Sequence, residues 1–153
     1  TVPYTVQLFD KDNILIATRA GTLALGPGDV LPLFEANVNT GTRVPARTYI
    51  NLDAGTWTKA VRATSPVRVV PTGTIDDANT KHTLSASIEN TGATTIPKAT
   101  VTALLYDASS TLIAASQTTI DELGARESRT VTFTWAISFP APAVTFDLIP
   151  RIP

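Results

Sequence analysis

The sequence predicts an all-β fold made of two tandem β-sandwich modules, the first lacking its N-terminal strands. Three observations carry that expectation. A near repeat runs through the chain: Val6–Asp10 (VQLFD) and Ile14–Ala17 (ILIA) return 97 residues later as Ala103–Asp107 (ALLYD) and Thr111–Ala114 (TLIA). The correspondence continues through Leu25-Gly26 against Leu123-Gly124, Phe34 against Phe133, and Pro45–Tyr49 (PARTY) against Pro142–Phe146 (PAVTF). A repeat of that length reflects architecture. Apolar residues also recur at period two rather than at helical spacing, and the runs are punctuated by Gly, Asn, Asp and Pro.

Taken in chain order, the first module spans residues 1–53 and is expected to form strands at Tyr4–Phe9, Ile14–Leu23, Val30–Val38 and Arg47–Leu52. These match the last four strands of the second module. About thirty residues precede the Leu-Tyr-Asp motif in the second copy, whereas only Thr1 to Gln7 precede it in the first. Together with the absence of any Met, this suggests that Thr1 is a boundary and that upstream strands complete the module. A linker follows at 54–66, marked by Gly55, Trp57 and Pro66. The large apolar area of Trp57 suits packing at an interface between modules better than stacking on a ligand.

The second module spans 67–153. Residues 67–72 alternate and are β-branched, Asp76–Asn79 supplies a turn, and Lys81–Glu89 places Leu84, Ala86 and Ile88 on one face. Asn90–Gly92 stops that strand, because Asn and Gly tolerate positive φ. Strands at Thr100–Tyr106 and Thr111–Thr119 flank the polar turn Asp107–Ser110, and the chain turns again at Leu123–Arg126. Val131, Phe133 and Trp135 alternate with threonines, and Val144–Ile149 ends a set of six strands. Six strands at roughly ten-residue spacing point to an Ig-like, fibronectin-like sandwich. Prolines 140, 142, 150 and 153 fit strand ends and edges, where a missing N–H is tolerated. A first module with only part of this set would expose apolar strand faces and an open edge, a template for pairing with another chain.

Composition removes most chemistry. Twelve Lys plus Arg against thirteen Asp plus Glu leave no basic excess of the kind that holds nucleic acid. Zero Cys excludes disulfides and thiolate sites, and the single His82 reads as a solvated surface side chain. No apolar run is long enough for a membrane span. Asp10, Asp12 and Asn13 could offer oxygen ligands to a hard cation, but the matching turn keeps only Asp107, so Asp10 and Asp107 are expected to fix hairpin turns. Asp76-Asp77 and Asp121-Glu122 are neighbours that point apart, unlike a catalytic carboxylate pair. Phosphate-loop, dinucleotide and zinc-protease motifs are missing. The reading assigns no catalytic, cofactor-binding or metal residues, no cofactor and no enzymatic activity.

The repeated Leu8-Phe9-Asp10 and Leu105-Tyr106-Asp107, each followed by an apolar strand and a Leu-Gly turn, resembles the FxLYD type of bacterial extracytoplasmic Ig-like domain. Val6 and Ala103 stand where that motif has its leading aromatic. At full length the chain is similar to uncharacterised envelope proteins of candidate-phylum bacteria. The resemblance implies a membrane anchor upstream, a location at the cell envelope or outside it, and no catalytic residues. The expected function is a non-catalytic structural or adhesion module acting through a protein partner or self-association at β-edges. The alternative is a carbohydrate-binding accessory domain, for which Trp57, Trp135, Tyr4 and Tyr49 are the available aromatics, Trp135 and Tyr49 being expected in the core.

Overall fold

The computed structural model describes residues 1–59, 65–76 and 82–152. All regular structure among these residues is β. The chain divides into two compact units, Thr1–Ala63 and Thr64–Pro153.

The second unit is a sandwich of two antiparallel three-stranded sheets. One sheet contains β4 (Val67–Asp76), β5 (His82–Asn90) and β8 (Ser128–Trp135), in the order β4-β5-β8. The other contains β6 (Ile96–Tyr106), β7 (Leu112–Leu123) and β9 (Thr145–Arg151), in the order β7-β6-β9. The period-two pattern explains the layering, because successive side chains leave a strand on opposite faces. On β5, Leu84, Ala86 and Ile88 are buried while Ser85, Ser87 and Glu89 are less so. On β8, Val131 and Phe133 face inward and Thr130, Thr132 and Thr134 face out. Ala99, Val101, Ala103 and Leu105 of the central strand β6 are fully buried and complete the core with Ile96, Ile120 and Leu123. Removing a side chain as large as Phe133 from such a core costs about 3–5 kcal/mol.

The two ends of β5 are closed by different means. At its start, His82 is buried beneath Phe139, with ring centroids 4.9 Å apart. Phe139 also meets Trp135 edge-on at 5.4 Å, and Trp135 stacks on Phe133. The Trp135 indole N–H donates to the Ala115 carbonyl at 3.0 Å, which ties β8 of one sheet to β7 of the other. His82 is therefore an interior residue and not the solvated surface histidine that its polar neighbours suggest. Alternation decides this, since His82 shares the inward parity of Leu84 and Ile88.

At the other end of β5, Asn90 is 0% exposed. Its amide nitrogen donates to the carbonyls of Thr94 (2.9 Å), Leu123 (3.1 Å) and Gly124 (2.9 Å), and its oxygen accepts from the Gly92 N–H at 2.9 Å. The turn residue thus doubles as a polar plug that satisfies backbone groups of two loops.

The first unit contains one antiparallel sheet among its described residues, in the order β2-β1-β3, formed by β1 (Val2–Phe9), β2 (Leu15–Leu23) and β3 (Arg47–Leu52). Three of the four expected strands form. The fourth, at Val30–Val38, does not: residues 24–46 carry no strand. Its counterpart β8 is laddered only to β5, and no strand corresponding to β5 is present among the described residues of the first unit. Without that ladder the segment lacks the neighbouring strand that would pair its backbone groups in a sheet. It lies instead against the sheet, where Glu35 accepts the Tyr4 hydroxyl and the Asn37 carbonyl receives the Arg19 guanidinium at 3.5 Å. Phe34 accordingly sits outside any strand, unlike Phe133. In the second unit, residues 77–79 of the expected turn and Lys81 lie outside the described residues.

Candidate functional site

The repeated Asp builds the same turn in both units. Asp10 Oδ1 accepts from the N–H groups of Asp12 and Ile14, each at 2.9 Å. Asp107 Oδ1 accepts from Ser109 at 2.8 Å and Thr111 at 2.9 Å. Asn13 (φ 62°) and Ser110 (φ 60°) occupy the matching left-handed positions. A short acidic side chain that caps its own turn is the reason for Asp here. The Leu-Gly turns are built alike too: Gly26 N–H donates to Asp29 Oδ2 at 2.7 Å, and Gly124 N–H to Glu127 Oε2 at 2.6 Å.

The two Asp residues differ in their surroundings. Asp10 is buried, and its second oxygen pairs with the Arg43 guanidinium. The Ile14 N–H, with help from Arg43, holds its carboxyl below the ordinary value of 3.8 despite the opposing effect of burial. Both oxygens of Asp10 are therefore committed to donors, and Asp12 pairs with Lys11 at 3.1 Å. Among the described residues no group of three His, Cys, Asp or Glu could hold a metal. Leu8 and Leu105 point to the inner faces of their sheets, and Leu105 is fully buried. Tyr106 lies on the opposite face of β6, where partial burial and then Asp147 push its phenol above the ordinary range. Trp57 follows β3 outside any strand and is 72% exposed.

The third strand of the first sheet holds the main surprise. In the second unit Phe146 stands opposite Leu105 and Leu148 opposite Ala103, so both face the core. In the first unit the corresponding Tyr49 stands opposite Gln7, not Leu8. The entry bonds show the same one-residue offset: Val144 N–H reaches the Tyr106 carbonyl, whereas Ala46 N–H reaches that of Phe9. A one-residue slip sends every side chain of a strand to the other face. Tyr49, expected in the core, is 52% exposed on the outer face. The sequence carried a signal for this in the Ile50/Leu52 alternation, which competes with the repeat and prevails.

Two surfaces result. On the inner face, Val2 and Tyr4 are buried and Val6 and Leu8 half-buried, while Ile50 and Leu52 beside them stay exposed. On the outer face, Gln7, Phe9, Asn13, Tyr49 and Asn51 line an open hollow of about 400 Å³. The Phe9 and Tyr49 rings meet edge-on there, with centroids 5.4 Å apart. No described helix is long and apolar enough to cross a membrane.

Residues 67–148 match the family model described as CARDB. No curated protein and no solved structure matches the chain.

Proposed function

The chain belongs to CARDB, a non-catalytic adhesion-domain family whose members are typically found at the cell surface, and from that premise we propose that it is a structural or adhesive module of the bacterial cell envelope. In this reading it is carried on an upstream anchor, and its first unit is completed by strands from another segment or a second copy. The finer likeness to FxLYD domains, carried by Leu8-Phe9-Asp10 and Leu105-Tyr106-Asp107, belongs to the same reading.

The supporting observation is the inner face of the β2-β1-β3 sheet. Its counterpart in the second unit is covered by a whole second sheet, and Ala99, Val101, Ala103 and Leu105 are fully buried as a result. In the first unit the matching face leaves Ile50 and Leu52 open beside the strandless segment 24–46. An apolar sheet face bordered by strand edges favours pairing with further β-structure. Light scattering over a concentration series tests this, with the double variant Ile50→Lys/Leu52→Lys alongside. Concentration-dependent association that the double variant abolishes is the expected result. A monomer at every concentration that also fails to bind a hydrophobic dye would overturn the reading.

A further inference from the structure

We propose that the outer face of the β2-β1-β3 sheet is a binding site for a neutral oligosaccharide. It goes beyond the strand-completion reading and uses the opposite face of the sheet.

Register brings the parts together. Residues directly opposite one another in an antiparallel pair share a face. Gln7 stands opposite Tyr49 and Phe9 opposite Arg47, while Asn51 follows Tyr49 two residues along the same face. Asn13 joins them from the hairpin turn, which Asp10 holds rigid through two N–H bonds, and the Arg47 guanidinium donates to the Asn13 side-chain oxygen. The result is an exposed aromatic platform, Tyr49 with Phe9 edge-on beside it, ringed by the amides of Gln7, Asn13 and Asn51.

The chemistry of that lining selects the ligand. A pyranose ring offers a face of C–H groups, which suits an aromatic surface, and a rim of hydroxyls that both donate and accept. Each side-chain amide likewise carries donors and an acceptor. None of the five lining side chains is acidic or basic, and the Arg47 guanidinium at the rim is turned to the Asn13 side-chain oxygen, so the lining itself is polar and neutral. An aromatic contact with a few convergent polar groups is the usual composition of a small-ligand site. The hollow is open along the sheet, which admits a chain of sugar units. The register slip is what creates it: the counterpart Phe146 is packed against the core of its unit.

The test is an NMR titration of the full ¹⁵N-labelled chain with cellohexaose, mannohexaose and N-acetyl-chitohexaose up to millimolar concentration. The expected result is saturable shifts of the Gln7, Asn13 and Asn51 side-chain amides with at least one sugar. Tyr49→Ala should weaken that binding by at least about tenfold, as loss of a central aromatic contact does. Tyr49→Phe should retain most of it, and Asn51→Ala should weaken it as well. Trp57→Ala, which removes an exposed aromatic that does not line the hollow, should bind as the parent does. The same spectra report whether each variant is folded. The proposal is overturned if none of the three sugars binds saturably, if binding survives both Tyr49→Ala and Asn51→Ala, or if it is lost in Trp57→Ala. None of these outcomes touches the association test, which reads Ile50 and Leu52 on the other face.

Discussion

Tyr49 and Phe146 hold the same place in the two copies of the repeat, yet they leave their sheets in opposite directions. Phe146 pairs with Leu105 and packs toward the core, whereas Tyr49 pairs with Gln7 and stands half in solvent. One residue of register separates a buried structural ring from an exposed one. The first unit is thus a variation on the sheet of the second, with a different outer surface.

Tyr4 and Gly21 set a steric limit on the first sheet. They are directly opposite across β1 and β2, and a Cβ placed on Gly21 would lie 2.4 Å from the Tyr4 hydroxyl oxygen and 2.5 Å from the adjoining ring carbon. The ring could escape only by giving up its bond to Glu35. Gly21→Val is expected to destabilise the first unit by about 1–3 kcal/mol, the usual range for overpacking. Hydrogen exchange should show faster exchange of β1 and β2 amides with β5 and β6 unchanged. Equal effects in both units would contradict the assignment.

Asn90 offers a sharper test of the second unit. Asn90→Ala removes a donor from three carbonyls and an acceptor from the Gly92 N–H, and a loss of about 2–4 kcal/mol is expected from the buried groups left unsatisfied. Asn90→Asp should be worse at neutral pH, because a carboxylate would face those carbonyls. Its stability should recover partly on acidification, when the protonated acid can donate again. Denaturant midpoints at two pH values read both effects.

Acid sensitivity follows from Asp10 and Glu127. Each is held below its ordinary value in the folded chain, Asp10 chiefly by the Ile14 N–H and Glu127 chiefly by the Gly124 N–H, with Arg43 and Arg129 adding to the effect. A depressed carboxyl contributes stability that is present above its unfolded value, 3.8 for Asp10 and 4.5 for Glu127, and that is lost as pH falls through the folded value. Stability should therefore be level through neutral pH and decline on going below about 4.5. Asp10→Asn should flatten that decline for the first unit and Glu127→Gln for the second, as followed by circular dichroism and by exchange at β1 and β6. A decline that begins well above that pH in both variants would contradict the mechanism.

Much of this molecule was legible in its residues. Alternation locates β5 and β8 to within a residue or two of their ends, and the expected strand Arg47–Leu52 coincides with β3. The repeated Asp told which turns would match, because a capping side chain acts over four residues and needs no distant partner. What failed was non-local. Val30–Val38 has a strand-like pattern, but a strand exists only through its ladder, and the sequence of that segment does not say whether a partner is at hand. Tyr49 failed for a related reason: its neighbours within the strand, Ile50 and Leu52, outvoted its counterpart 97 residues away. The burial of His82 follows from its parity with Leu84, a signal that its polar sequence neighbours mask. The hollow on the outer face was hidden because it joins residues of β1, a turn and β3 that only the register brings side by side.

The unlike closures of β5 give the sandwich two ends with opposite responses to temperature. Apolar contacts such as those among Phe133, Trp135 and Phe139 weaken on cooling, since burial of apolar surface is driven by solvent entropy near room temperature. The Asn90 end rests on directed hydrogen bonds, which are enthalpic and loosen on heating. Warming consequently shifts the balance of the two grips on β5 toward its aromatic end, and cooling shifts it toward its amide end.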